Sequence, residues 1–255
     1  MGTDTTEQMI INGVRTVIRI SGTGEPLLFF HGAGTFTGFD FAKQWADEFK
    51  VLIPYHPGFG DSEVDSHITE MHDYVLHYVE LLDQLGIDQV NMVGHSLGGW
   101  LAALFASEHR HRVKRLVLLS PAGLQVPEYP TADLFRIRPH ELPLKLVSNP
   151  AVLETMIPKE PDVEWVVRQY RENTSLARVI WQRNYDPKLT RWLHRINMPT
   201  LIIWGKDDQI IPVQQAEVWS KKIPHADLKL LEGYGHLLLH EGTEAVSAVK
   251  AFLTT

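Results

Sequence analysis

Gln89-Val90-Asn91-Met92-Val93-Gly94-His95-Ser96-Leu97-Gly98-Gly99-Trp100-Leu101-Ala102-Ala103-Leu104-Phe105-Ala106 is the stretch that decides the fold. Residues 89–93 read as a buried strand, residues 97–106 as a helix, and the pentapeptide G-x-S-x-G lies between them. A serine on so sharp a strand-to-helix turn is held in a strained backbone. Gly94 and Gly98 remove side chains that would collide across the turn. The Ser96 hydroxyl is then exposed at the end of the strand. The N–H of Leu97 faces the place where an oxyanion would form, at a helix start whose dipole favours negative charge. A glycine-rich turn with an incidental serine is the competing reading, and the strand and helix on either side count against it.

Outward from this unit, strands alternate with helices. Residues 9–11 and 15–20 are strand-like and flank Asn12-Gly13, a strong hairpin signal. Leu27-Leu28-Phe29-Phe30 suits a buried parallel strand. Residues 39–49 read as a helix and 51–53 as a strand. Residues 68–85 read as a helix with Val75, Leu76, Val79, Leu82 and Leu85 on one face, stopped by Gly86. Beyond the serine unit come a strand at 113–119, a strand at 200–204, a helix at 213–222, a strand at 228–231 and a helix at 243–253. This order predicts a mostly parallel sheet with helices on both faces and ligands bound at the carboxyl ends of its strands.

Residues 123–186 break the pattern. Prolines at 127, 130, 139, 143, 150, 158 and 161 punctuate short helical pieces, and 165–183 reads as one longer helix. The segment is too long for a plain loop and predicts an inserted, mainly helical cap on a core of 1–122 and 187–255. Residues 136–195 hold 11 basic and 7 acidic residues in a chain of net charge −7, which reads as a solvated face on the cap helices.

The bulk properties fit an ordinary enzyme of one α/β domain with an insertion, cytoplasmic and monomeric or homodimeric. A net charge of −7 argues against nucleic acid as a partner. No run of 18 or more apolar residues predicts a membrane span. The stretch Met1-Gly2-Thr3-Asp4-Thr5-Thr6-Glu7 lacks the basic and apolar regions of a secretory signal. It matches a myristoylation pattern, but with Asp4 and Glu7 and no basic support we read the match as chance. The absence of cysteine excludes disulfides, thiolate metal sites and a cysteine nucleophile.

A hydrolytic serine needs a base, and the base needs an orienting carboxylate. His236, in Glu232-Gly233-Tyr234-Gly235-His236 just past the last strand, is placed to reach Ser96. His95 sits beside the serine, but on the strained turn its side chain is expected to point elsewhere. His109 and His111 suit a helix C-terminus. His236 and His240 are four apart without the glutamate of H-E-x-x-H, so no zinc site is expected. Asp207 and Asp208 follow the strand at 200–204 and are both candidates for the carboxylate. The glycine-rich turn Phe30-His31-Gly32-Ala33-Gly34 can bring a second backbone N–H to the oxyanion.

Together, His31-Gly32-Ala33-Gly34, Gly94-His95-Ser96-Leu97-Gly98-Gly99, Gly205-Lys206-Asp207-Asp208-Gln209-Ile210-Ile211-Pro212 and Gly235-His236…Glu241 resemble the α/β-hydrolase fold superfamily. His56-Pro57-Gly58-Phe59-Gly60-Asp61-Ser62 resembles the turn that commonly follows its fourth strand. The resemblance covers nearly the whole chain outside 123–186 and implies an eight-stranded, mostly parallel sheet with an inserted helical cap. It implies Ser96 as nucleophile, His236 as base, and Asp208 rather than Asp207 as acid, from the G-x-x-D-x-x-x-P spacing. It implies the N–H groups of Ala33 and Leu97 as oxyanion donors, with no cofactor and no metal. Dehalogenases and epoxide hydrolases of the superfamily carry aspartate where this chain has Ser96. Its carbon–carbon hydrolases typically read G-N-S-M-G-G with tryptophan after the histidine, where this chain has His95 before the serine and Leu237 after His236.

The function expected is therefore a serine hydrolase of small carboxylic esters, with carbon–carbon hydrolysis or a small-molecule receptor as alternatives. Phe36, Phe135, Trp181 and Leu237 are the expected substrate-binding residues, with Trp165 a further large aromatic of the cap. Trp181 is expected to help set acyl length.

Overall fold

A computed structural model describes residues 4–255; residues 1–3 of the myristoylation-like pattern lie outside them. Asn12 and Gly13 take φ of 51° and 82°, the left-handed turn a tight two-residue hairpin requires. They join β1 (Thr5–Ile11) to β2 (Val14–Ser21). β3 (Glu25–Phe30), β4 (Phe49–Pro54), β5 (Val90–His95), β6 (Val113–Leu119), β7 (Thr200–Gly205) and β8 (Ala226–Leu231) complete one eight-stranded sheet. Its order is β1-β2-β4-β3-β5-β6-β7-β8. Pairing is antiparallel at β1/β2 and β2/β4 and parallel at every other junction.

Side chains alternate across this sheet with the period of two that a strand imposes. Leu28 and Phe30 of β3, and Leu116 and Leu118 of β6, enter one core layer. Leu27, Phe29, Val117 and Leu119 enter the other. The first layer is closed by α1 (Met71–Gln84), α2 (Leu97–Glu108) and α6 (Gln214–Lys222), the second by α7 (Glu244–Thr254). Strands buried on both faces must be apolar at nearly every position, which is why Leu27–Phe30 and Leu116–Leu119 read as unbroken runs.

Two elements differ from the sequence reading. Residues 39–49 hold only a short 3₁₀ turn at Asp40–Gln44. Phe39, Phe41 and Trp45 are wedged against Phe29, and that packing fixes the segment rather than a regular helix. α1 starts at Met71, because the side chains of Glu70 and Asp73 form a capping box there. Leu76 leaves the expected buried face and is 62% exposed.

The segment between β6 and β7 holds α3 (Leu142–Leu146), α4 (Val163–Ile180) and α5 (Leu189–Trp192) with single 3₁₀ turns. α4 begins where Asp162 accepts the N–H of Trp165 at 2.8 Å. Gly123 and Tyr185 pair in an isolated parallel bridge, so the entry and exit of this insertion meet. The charged residues of the insertion are mostly solvated, as expected, yet three arginines of α4 also reach the 60–65 loop of the core. Arg168 lies 3.6 Å from Asp61, Arg178 donates to the Asp65 carbonyl at 2.9 Å, and Arg171 donates to the Gly60 carbonyl. At about 100° per residue, an adjoining edge carries Val163, Val166, Val167 and Tyr170 to solvent.

Candidate active site

Ser96 follows β5 and caps α2 with φ 55° and ψ −115°, a conformation most residues avoid. The local sequence allows it. A Cβ on Gly94 would stand 2.3 Å from the Gly98 carbonyl oxygen, and one on Gly98 would stand 2.1 Å from that of Phe30. Only glycine at both positions lets the turn close over the end of β3.

Two further strand ends meet this turn. Asp208 follows β7, and His236 follows β8. The Nε2 of His236 lies 2.8 Å from the Ser96 Oγ, and its Nδ1 lies 2.8 Å from Asp208 Oδ2. The other carboxylate oxygen of Asp208 accepts the N–H groups of Ile210 and Ile211 at 2.8 and 2.9 Å. Burial alone would raise the Asp208 pKa, but the histidine and these two N–H groups together hold it below the usual value. An ionised Asp208 accepts a hydrogen bond from the Nδ1–H of His236, which leaves Nε2 free to accept from the serine hydroxyl. Asp207 is turned away and accepts from the Ser148 hydroxyl at 2.9 Å.

His95 does not point elsewhere. Its ring lies over Gly32, where a side chain would meet it, and 5.0 Å from the ring of His236. Its Nε2–H donates to the His236 carbonyl at 2.8 Å. Burial lowers its pKa to about 3, so it keeps one tautomer and holds the His236 backbone in place.

The turn after β3 is fixed by a second buried histidine. His31 Nε2 accepts the His56 N–H at 3.0 Å, so its proton is on Nδ1, which donates to the Gly32 carbonyl at 2.7 Å. Burial lowers its pKa to about 4. The Gly32 carbonyl and the Ala33 N–H share one planar peptide unit, so anchoring the first aims the second. Among the described residues, the N–H groups of Ala33 and Leu97 have no acceptor.

Beside Ser96 and His236 lies a cavity of about 120 Å³. Phe36, Phe135 and Leu237 line it, with Leu142, Leu146 and Leu176 of the insertion. Asn173 and His240 add polar edges, and no lysine, arginine, aspartate or glutamate belongs to the lining. Trp181 is a correction. It stands 69% exposed, outside the cavity, with its ring tilted 52° against that of Phe135 at a centroid distance of 5.1 Å. It follows Ile180, the last buried position of α4, and one further residue turns it about 100° off that face. It borders instead an open groove of about 1020 Å³ with His72 and Arg178, which Ser96 does not reach. Trp165 lines neither space.

The sequence reading missed how the insertion grips these loops. Glu241 accepts the N–H of Gly235 at 2.8 Å and of Ser148 at 2.6 Å, and the Leu237 N–H donates to the Leu146 carbonyl at 2.8 Å. Burial raises the pKa of Glu241. Glu172, from the middle of α4, is buried against Thr35 and Gly60. A polar stripe at 168, 171, 172, 175 and 178, spaced for one helix face, was the available signal.

A model of the family described as "Alpha/beta hydrolase family" matches residues 27–249. A poly(3-hydroxyalkanoate) depolymerase of Ectopseudomonas oleovorans is 29% identical over 233 residues, 88% of this chain and 82% of that protein. A 2-hydroxymuconate semialdehyde hydrolase of Pseudomonas sp. (strain CF600) is 29% identical over 259 residues, 90% of this chain and 86% of that protein. Among solved structures, the 2-hydroxy-6-oxo-6-phenylhexa-2,4-dienoate hydrolase of Rhodococcus sp. strain RHA1 has the same fold. It superposes with a TM-score of 0.82 at 19% identity, covering 100% of both chains. A thermophilic esterase of Thermogutta terrifontis superposes with a TM-score of 0.78 at 23% identity, covering 98% of each chain.

Proposed function

Because the chain belongs to the alpha/beta hydrolase family, we propose that it is a serine hydrolase of small, uncharged carboxylic esters. The observation that carries this is the hydrogen-bonded run Ser96–His236–Asp208 opening into an apolar cavity without a cation. In this mechanism His236 Nε2 takes the Ser96 proton as Oγ attacks the ester carbonyl. Asp208 holds the imidazole tautomer and stabilises the imidazolium. The N–H groups of Ala33 and Leu97 receive the oxyanion. His236 then protonates the leaving alcohol, and water attacks the acyl-enzyme with His236 as base again. The insertion serves as a cap that walls the cavity.

The relatives divide between ester and carbon–carbon chemistry, and the lining favours the first. A dienoate carries a carboxylate. Burying it costs several kcal/mol unless a cation or several donors meet it. Thr37, Asn173 and His240 are the uncommitted polar side chains of the lining, and burial lowers the His240 pKa to about 4, so none of them carries a positive charge near neutrality. An alkyl or aryl ester meets no such cost.

The test is a panel of p-nitrophenyl esters from acetate to laurate beside a 2-hydroxy-6-oxo-dienoate, run on purified protein. Multiple turnover on the esters, with kcat/KM well above that for the dienoate, is expected. The reverse order would assign carbon–carbon hydrolysis. A single slow turnover with retained product would assign a receptor.

A further inference from the structure

We propose that Glu172, a residue of the cap, is a positioning residue for the oxyanion site: it fixes the loop that carries the Ala33 N–H, so that catalysis requires a seated cap. The proposal rests on the acyl-enzyme reading above.

Glu172 is 1% exposed. A carboxylate there has lost its water and accepts hydrogen bonds only, so protein donors must replace the water. Three do. Oε2 accepts the Thr35 N–H at 3.1 Å, and Oε1 accepts the Gly60 N–H at 2.9 Å and the Thr35 hydroxyl. None of these donors belongs to α4; all lie on two loops of the core. A buried carboxylate is a poor device for merely holding a helix down, since apolar side chains of the same volume do that without the desolvation cost. What it supplies is geometric: it draws specific N–H groups to fixed points.

The point it fixes is two residues from Ala33. On the near side, His31 anchors the Gly32 carbonyl and thereby the Ala33 peptide plane. On the far side, Glu172 anchors Thr35 through both its N–H and its hydroxyl. The short loop is held at both ends, and only one end is held by the core. When α4 is seated, through Arg168, Arg171 and Arg178 on the 60–65 loop, the far anchor is present. When α4 lifts, Thr35 and Gly60 lose their acceptor, and the Ala33 N–H loses its aim. The Leu97 N–H, at the start of α2, is untouched by this movement. An unseated cap therefore leaves one oxyanion donor in place of two.

Loss of one oxyanion donor lowers kcat by about 10²–10³, and loss of its anchor alone by less. Glu172→Gln keeps the size of the side chain but places an amide –NH₂ against N–H donors. Its kcat, counted per Ser96 titrated with an organophosphonate, is expected to fall ten- to hundredfold, with KM within about threefold. Affinity for a trifluoromethyl ketone, which forms a tetrahedral adduct on a serine, should fall with kcat/KM, while Glu172→Asp recovers part of the loss. Thr35→Val, which removes only the hydroxyl, should lose about three- to tenfold by the same measures. A kcat per titrated site that is unchanged in both variants would overturn the proposal, as would a loss carried wholly by KM. If Glu172→Gln does not fold, Thr35→Val decides alone, on the same criterion. Failure of the underlying reading looks different: the unaltered protein would then not be labelled at Ser96.

Discussion

Asp207 and Asp208 are neighbours with the same chemistry and opposite fates. Asp208 accepts two backbone N–H groups and faces His236, whereas Asp207 reaches Ser148 of the insertion. In the proposed mechanism, Asp208→Asn therefore lowers kcat by about 10²–10⁴ through the wrong histidine tautomer, and Ser96→Ala lowers it by about 10⁴ or more. Asp207→Asn keeps an acceptor for Ser148 and stays within a fewfold. Steady-state kinetics on one ester, with circular dichroism to confirm folding, checks all three; a reversed order for the two aspartates would refute the assignment. The positions of Ser96 and His236 were legible in the sequence because each lies in a glycine-marked turn after a strand, whereas strand position left Asp207 and Asp208 both open and only the spacing of the family resemblance singled out Asp208. His95 and Glu172 were not legible. The direction of a side chain on a strained turn, and the partner of a carboxylate more than a hundred residues away, depend on tertiary contacts that local pattern does not encode.

At the scale of elements, strand alternation and helix order were readable because burial on both faces forces unbroken apolar runs. Residues 39–49 misled because an aromatic-rich segment satisfies a helical pattern by composition while packing as a loop. α4 misled in a second way, since it buries Leu176 and Ile180 but turns a second apolar edge, Val163, Val166, Val167 and Tyr170, to solvent. Trp181, one residue past Ile180, lies on that outer side. Its substitution by alanine removes a ring from the outside of Phe135, so the acyl-length profile of Trp181→Ala should match that of the unaltered protein. Phe135→Ala enlarges the cavity itself and should move the optimum to longer acyl chains, by a threefold or greater change in relative kcat/KM. Esters of increasing length, measured on both variants, separate the two; a shifted optimum in Trp181→Ala alone would return that residue to the cavity wall.

For the molecule as a whole, the interior is populated by histidines that must stay neutral. Burial lowers the pKa of His31, His77 and His240 to about 4 and of His95 to about 3, from 6.5. His56 is pushed down in the same way. In each case the unfolded chain binds the proton more readily than the folded one. Their contribution to stability is complete above the unfolded value of 6.5 and is lost as the pH falls from there towards 4. His72 has the opposite sign, its pKa being raised by Glu108, but it is 43% exposed and screened. The expected outcome in thermal melts is a Tm that is level above pH 7 and falls by about 10 °C or more by pH 4.5. A Tm level down to pH 4.5 would contradict it.

The insertion lies between β6 and β7, ahead of both Asp208 and His236 in the chain, and that position orders events in time. During synthesis, everything α4 docks on, from Thr35 to Asp65, has emerged before α4 itself. Ser96 and its turn have emerged as well. Docking of α4 on these loops needs no residue that is still to come, whereas the α3 region waits for Leu237 and Glu241, and in the proposed mechanism the acid waits for β7 and the base for β8 at the sheet's edge. In the proposed mechanism a nascent chain thus carries a serine still without its base. The pairing of the last strand brings His236 into reach and α7 then closes the second core layer, so turnover would report a chain that is all but completely folded.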